Sequence, residues 1–517
     1  MKNTSRLKGK RAAAIMIVGT ASNSGKTLIT AGLCRYFSRR GLKVMPYKAQ
    51  NMSLNSFVTA EGGEIGRAQA FQARACGVKP HTDMNPVLLK PLGDCTSQIV
   101  INGKAYSNMS AGHYYDNSWI VNEAFAALDR LMERCDLVIM EGAGSPAEIN
   151  IEERDFVNMR AAAHAGASVL LVADIDRGGV FASIYGTVKL VKPSYQSLFK
   201  GIIINKFRGD KALLGSGPAD ISKLCGVPVL GVMPFLNGLT IEEEDSVVLD
   251  YRKSTGMGSA LIDIAVIKLP RMSNYTDFLA LETEKSVSLR YISSVEELGG
   301  TPDLVIIPGS KNTIEDMRFL NESGLAACII GSARKGIPVF GICGGFQMLG
   351  LEISDPFHVE GETANTPGLG LLPLRTELRP HKELAQVKGT TLKSFRFAAP
   401  GTPFTGYEIH CGVTTPLPAP DNAALAINER GTKNGLTEAT GVISGDGLVF
   451  GTYVHGIFDS DNLRAGLIQY LHSAKGVEMT QSPCGVSYED AVEKSIDAIA
   501  LAIAENIDTS YIRALIR

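Results

Sequence analysis

Short runs of aliphatic and β-branched residues recur along the chain, each followed by a stretch whose apolar positions repeat at helical spacing. In the first half the runs are Ile15 to Val18, Val44 to Tyr47, Leu137 to Met140, Val169 to Val172, Ile202 to Ile204 and Val229 to Val232. Strands this apolar, separated by helices, predict a mostly parallel sheet covered on both faces. A second series begins with Ile262 to Leu269 and continues through Leu304 to Ile307, Val339 to Ile342 and Leu448 to Val454. The polar stretch Asp250 to Met257 predicts a linker, and the Ala/Ile-rich stretch from Tyr488 onward a helical tail. The expected fold is α/β with two doubly wound domains: residues 12–249, a linker at 250–260, residues 261–475, and a tail at 476–517.

The first strand runs into Gly19-Thr20-Ala21-Ser22-Asn23-Ser24-Gly25-Lys26-Thr27, and Leu28 to Phe37 then has helical spacing. A strand, a small-residue loop, Gly-Lys-Thr and a helix start suit a triphosphate, because backbone N–H groups and a helix N-terminus meet phosphate oxygens. Gly25 and Lys26 are expected to bind ATP, with Lys26 at the β/γ oxygens and Thr27 on Mg²⁺. The loop is a variant, since the strict pattern has Gly where Thr20 stands. The strand Leu137 to Met140 ends in Glu141-Gly142-Ala143-Gly144, placing Glu141 at the sheet edge where open α/β folds bind ligands and where a carboxylate can share the Mg²⁺. Ile202 to Ile204 leads into Asn205-Lys206, and Asn205 is placed to read an adenine edge.

In the second half, Val339 to Ile342 leads into Cys343 within Gly341-Ile342-Cys343-Gly344-Gly345. Small residues around a cysteine at a strand-to-helix turn expose its sulfur at a tight elbow, as a nucleophile requires. His455 in Gly451-Thr452-Tyr453-Val454-His455-Gly456 ends a strand of the same domain and is the candidate base. The Gly309 to Lys311 turn, with Gly344, could supply oxyanion N–H groups.

The chain's 517 residues suit two domains, and 45% hydrophobic with 20% charged residues excludes a disordered or fibrous protein. A formal charge of -2 gives no sequence-wide reason to expect nucleic acid or an anionic membrane. The nine cysteines form no CxxC pair, which favours a reducing compartment. Lys2, Arg6, Lys8, Lys10 and Arg11 before Ala12 to Val18 imitate a secretion signal, but cleavage near Ala21 would destroy the phosphate loop. No apolar stretch approaches the roughly 18 to 20 residues of a membrane span, so a cytoplasmic location is expected.

The phosphate loop, Glu141 to Gly144 and Asn205-Lys206 resemble the dethiobiotin-synthetase-like branch of P-loop enzymes, in which ATP phosphorylates a carboxylate. Lys48 to Ser56 (KAQNMSLNS) falls where that branch holds a lysine beside phosphate and substrate, which makes Lys48 a binding residue. Glu64 to Gln69, Met84 to Pro91, Ser145 to Asn150 and Asp174 to Phe181 resemble the cobyric acid synthase family. The cysteine elbow, His455 and Leu304 to Thr313 resemble the triad-type, class I glutamine amidotransferases with their flavodoxin-like sheet, and Gly406 to His410 their cobalamin-biosynthesis subgroup. Most triad enzymes carry a glutamate two residues after the histidine, where this chain has Ile457. Only the pair Cys343 and His455 therefore carries over; the third residue is absent or supplied from elsewhere, with Glu408 one candidate and an unassisted dyad slightly favoured.

The resemblance runs from Ile15 to about Asp459. It implies a glutamine-hydrolysing carbon–nitrogen ligase that uses ATP and Mg²⁺ to amidate the b, d, e and g carboxylates of adenosylcobyrinic acid a,c-diamide. The partners it implies are glutamine and that corrinoid, with no nucleic acid and no membrane; a homo-oligomer stays open. Two alternatives stand beside it, a cobyrinic acid a,c-diamide synthase and a ParA/MinD-like regulatory ATPase.

Overall fold

The computed structural model describes residues 11–93, 96–115, 117–242, 261–417, 422–477 and 487–516. The six apolar runs of the first half, mostly buried except at the edge strand Val229–Pro234, pair in parallel in the order Val229–Pro234, Phe199–Phe207, Ser168–Asp174, Ala13–Gly19, Leu137–Glu141, Val44–Tyr47. Chain order reverses around Ala13–Gly19, so a crevice opens at its C-terminal end, and the phosphate loop begins there. A smaller sheet of Gln50–Met52, Val87–Pro91, Thr96–Ile101 and Lys104–Ser110 flanks this domain.

In the second half, Val287–Ile292, Ile262–Ile267, Leu304–Ile307, Val339–Ile342 and Val449–Thr452 form a parallel core. Numbered along the chain, this order is the 2-1-3-4-5 of the flavodoxin-like fold, as expected. The sheet then continues, unanticipated, through the antiparallel strands Lys433–Ile443, Ala423–Arg430 and Leu374–Thr391, the last pairing also with Pro403–Pro416. The expected linker at 250–260 lies outside the described residues.

The tail is no loose appendage. Helix Tyr488–Asn506 returns to the first domain and lays Ile499 and Ile503 on the phosphate-loop helix Lys26–Ser38. Gly32 permits this close approach, because a Cβ there would stand 2.4 Å from Ile503 Cδ1 and 2.6 Å from Ile499 Cγ2. Arg35 pairs with Glu493, Arg39 with Asp497 at 2.6 Å, and Tyr36 donates to Thr509 at 2.8 Å.

Buried polar contacts also join the halves. Arg67 holds Glu242 through Nε at 2.9 Å and Nη2 at 2.8 Å and reaches the Tyr407 hydroxyl at 3.4 Å. Glu64 accepts from Lys90 at 2.6 Å and from Lys382 of the second domain. Burial by itself opposes ionisation of Glu64, but these two ammonium groups hold its carboxyl well below the usual carboxylate range. A buried charge tolerates desolvation only with partners of this kind.

Candidate active site

At the crevice of the first domain, Gly25 takes φ 96°, a left-handed conformation that side chains avoid, and caps helix Lys26–Ser38. Glycine at 19 rather than 20 meets the loop's steric need: a Cβ on Gly19 would stand 2.9 Å from the Ala21 carbonyl oxygen. Lys26 Nζ donates to the carbonyls of Ala21 at 2.9 Å and Gly144 at 3.1 Å, so its charge lies between the loop and the end of the Glu141 strand. Thr27 Oγ1 donates to Glu141 Oε1 at 3.0 Å, and Lys48 Nζ reaches the same oxygen at 3.0 Å. Gln72, which the sequence reading did not single out, donates to Glu141 Oε2. Asn205 donates to the Ser24 carbonyl at 2.9 Å, which brings its side chain against the phosphate loop.

Gly25, Lys26, Thr27, Lys48, Glu141 and Asn205 therefore converge on one place. A hydroxyl and a carboxylate oxygen in contact are the hard donors Mg²⁺ takes when phosphates complete its shell. Among the described residues, no cluster of three or more His, Cys, Asp or Glu could hold a metal.

In the second domain Cys343 links strand Val339–Ile342 to helix Gly344–Met348 at φ 53° and ψ −108°. A non-glycine residue in this region is strained and persists because its surroundings hold it. The flanking glycines are obligatory: a Cβ on Gly345 would stand 2.1 Å from the Ile307 oxygen, and one on Gly341 2.6 Å from the Gly345 oxygen. Cys343 Sγ donates to the Ile409 carbonyl at 3.4 Å, and the sulfur lies near enough to His455 to help raise the imidazole.

His455 is buried, and its Nδ1 contacts Asp277 Oδ2 at 2.7 Å, while Asp277 Oδ1 accepts from the Gly456 N–H at 2.9 Å. Burial disfavours the imidazolium, but the Asp277 carboxylate and then the Cys343 sulfur outweigh it and raise His455 to about 10. A thiol, an imidazole and a carboxylate in this order are the arrangement that a nucleophile, its base and an orienting acid require.

A carboxylate supplied from elsewhere fits the structure, but it is Asp277 and not Glu408 that meets His455. The Glu408 carboxylate faces Arg430 at 2.8 Å instead, and burial pushes it up to about 7. Asp277 sits in the turn Tyr275–Phe278, 178 positions from His455. Its one sequence signal is a polar Asn-Tyr-Thr-Asp stretch shortly after an apolar strand. In the Gly406 to His410 segment, His410 stacks on Tyr453 at 3.7 Å, and burial lowers it to about 4.

The expected oxyanion segment lies beside the elbow, since a Cβ on Gly344 would stand 2.8 Å from Ser310 N. Lys311 drops out, because its N–H donates to the Arg271 carbonyl at 2.9 Å. Gly309 stays adjacent, with a built Cβ falling 3.1 Å from His455 Cε1.

Fold and sites together define a two-domain enzyme in which a P-loop nucleotide-binding domain is joined to a glutamine amidotransferase domain. Residues 15–247 match the CobQ/CobB/MinD/ParA nucleotide binding domain, and residues 263–463 match the CobB/CobQ-like glutamine amidotransferase domain. The first description spans regulatory ATPases as well as ligases, so the full-length relatives decide between them. The chain is 47% identical over 501 residues to the cobyric acid synthase of Dehalococcoides mccartyi, covering 96% of this chain and 97% of that protein. It is 46% identical over 508 residues to that of Salmonella typhimurium, covering 98% of each, and 47% identical over 506 residues to that of Listeria welshimeri, covering 97% and 96%. The chain belongs to the cobyric acid synthase family, and with it to the glutamine amidotransferase ligases of cobalamin biosynthesis. Among the described residues, no helix is long and apolar enough to cross a membrane.

Proposed function

We propose that this enzyme uses ATP and glutamine to amidate the b, d, e and g carboxylates of adenosylcobyrinic acid a,c-diamide. The observation that carries this reading is the presence in one chain of two separate built sites, Thr27–Glu141–Lys48 beside a phosphate loop and Cys343–His455–Asp277 at a cysteine elbow. Amide formation needs both. An unactivated carboxylate is a poor electrophile, and free ammonia is mostly protonated near neutral pH.

In the glutaminase, the Cys343 thiolate attacks the carboxamide carbon of glutamine, and the His455 imidazolium gives its proton to the leaving ammonia. Water then hydrolyses the thioester, with His455 as base, and glutamate departs. In the other site a corrinoid carboxylate attacks the γ-phosphorus of ATP and ADP leaves. Lys26 offsets charge on the transferred group, and Lys48 orients the acceptor beside it. Thr27 and Glu141 would hold Mg²⁺, which when bound neutralises phosphate charge. Ammonia then attacks the acyl carbon of the acyl phosphate, and phosphate leaves as the amide forms. Asn205, against the loop, would contact the nucleotide base.

Two variants test this division. Cys343→Ala should abolish glutamine-dependent amidation and leave ammonium-dependent amidation within a few-fold of wild type, whereas Lys26→Ala should stop both. Normal use of glutamine by the first, or of ammonium by the second, would overturn the corresponding assignment.

A further inference from the structure

The segment Lys48 to Ser56 belongs to the ATP-binding domain, yet its two ends meet the two active sites. At one end Lys48 holds Glu141, which in turn accepts from Thr27. At the other end the backbone N–H of Ser56 donates to Asn274 Oδ1 at 2.8 Å, and Asn55 Oδ1 accepts from the N–H of Tyr275 at 3.1 Å. Asn55, Ser56, Asn274 and Tyr275 are all buried.

Residues 274 and 275 begin the turn that carries Asp277. Asn274 adopts the left-handed conformation with φ 54°, and its carbonyl accepts from the Asp277 N–H at 3.0 Å. Its Nδ2 faces both ring nitrogens of His455, at 3.3 Å and 3.5 Å. On the chain side away from Asp277 the turn is tied within its own domain, where Met272–Ser273 pairs with Gly309–Ser310. Asparagine tolerates the left-handed region better than other non-glycine residues, so what fixes this turn is its bonding, and two of the bonds at residues 274 and 275 come from the other domain. Ser56 is itself gripped from within the ATP-binding domain, because Lys90 donates to its hydroxyl at 2.8 Å.

We propose that Lys48 to Ser56 is a strut by which the ATP-binding domain sets the glutaminase geometry, with Asn55 a positioning residue for glutamine hydrolysis that acts through the Asp277 turn. The inference rests on the triad reading above. It assigns to the amide acceptor of Asn55 a task in a reaction whose reacting groups all lie in the other domain. A misplacement of a catalytic group by about an ångström costs on the order of 100-fold in rate, so small changes at this contact are enough to matter.

The test is a double-mutant cycle on the full chain, read as glutaminase kcat, with Asn55→Ala, Asp277→Asn and the pair, and with thermal unfolding of each as a check on folding. Asn55→Ala should lower glutaminase kcat by roughly 10- to 100-fold and move the alkaline limb of its pH profile to lower pH, because the Asp277 contact that keeps His455 protonated is loosened. In the Asp277→Asn background the same change should cost almost nothing further, since residues acting as one unit are non-additive. Multiplicative losses in the double variant, or an Asn55→Ala enzyme with unchanged kcat and profile, would overturn the proposal while leaving the triad intact. Asp277→Asn at wild-type rate would instead bring down the triad reading itself. Should Asn55→Ala unfold early, Asn55→Ser, which keeps a shorter acceptor, gives the same cycle.

Discussion

At the scale of single residues, Asp277 is the main departure from what the sequence offered. Cys343 was legible because a tight elbow demands small neighbours, and Gly341, Gly344 and Gly345 stand around it. His455 was legible because it ends a strand of the same domain. Asp277 was not, since neither spacing nor local pattern joins it to His455, and only the folded turn brings its carboxylate to 2.7 Å. Its loss should be costly. Asp277→Asn removes the charge that orients and stabilises the imidazolium, and glutaminase kcat should fall roughly 10²- to 10⁴-fold, with ammonium-dependent amidation within a few-fold of wild type. Glu408→Gln, paired to Arg430 instead, should leave glutamine hydrolysis within a few-fold. Steady-state assays with each nitrogen donor check both.

The same contact predicts a pH dependence of stability. His455 moves from its ordinary 6.5 to about 10 in the folded state. Below 6.5 both states hold the proton and the stabilisation is fully present. Between 6.5 and about 10 the folded state binds more protons than the unfolded, so this contribution falls as pH rises through that window. Melting temperatures measured across it should decline in the wild type and decline less steeply in Asp277→Asn; identical slopes would show that the pair contributes nothing.

At the scale of elements, the parallel strands were readable because continuous apolar runs mark burial on both faces. The antiparallel extension was missed, although Leu374–Thr391 carries its signal: Leu374, Thr376 and Leu378 are buried, while Arg375 is exposed. Alternation of that kind is easily passed over when the search is for continuous runs. The elbow is the element most open to test. In Gly345→Ala the added methyl would meet the Ile307 oxygen at 2.1 Å, a backbone atom that cannot step aside alone. Strand and helix must separate, so stability should drop by about 1 to 3 kcal/mol and glutaminase should be lost with the oxyanion geometry. Denaturant melts and a glutamine assay would reveal an unaffected variant at once.

At the scale of the whole molecule, sequence showed a helical tail but not its destination, because the face that Ile499 and Ile503 cover belongs to a helix more than 450 positions away. That helix begins at Lys26, so the tail braces the element that carries the phosphate loop. Ile503→Ala should destabilise the protein by about 2 to 5 kcal/mol and weaken ammonium-dependent amidation more than glutamine hydrolysis. A variant melting with wild type would show that this packing contributes little.

The central claim is that nitrogen released at Cys343 ends in an amide made at the phosphate loop. It is tested most directly by supplying the wild-type enzyme with ATP, cobyrinic acid a,c-diamide and glutamine labelled at its amide nitrogen, and following the corrinoid by mass spectrometry. The account predicts successive labelled amides, each formed with consumption of ATP and release of glutamate. Glutamine hydrolysis and ATP hydrolysis with an unlabelled, unamidated corrinoid would contradict it.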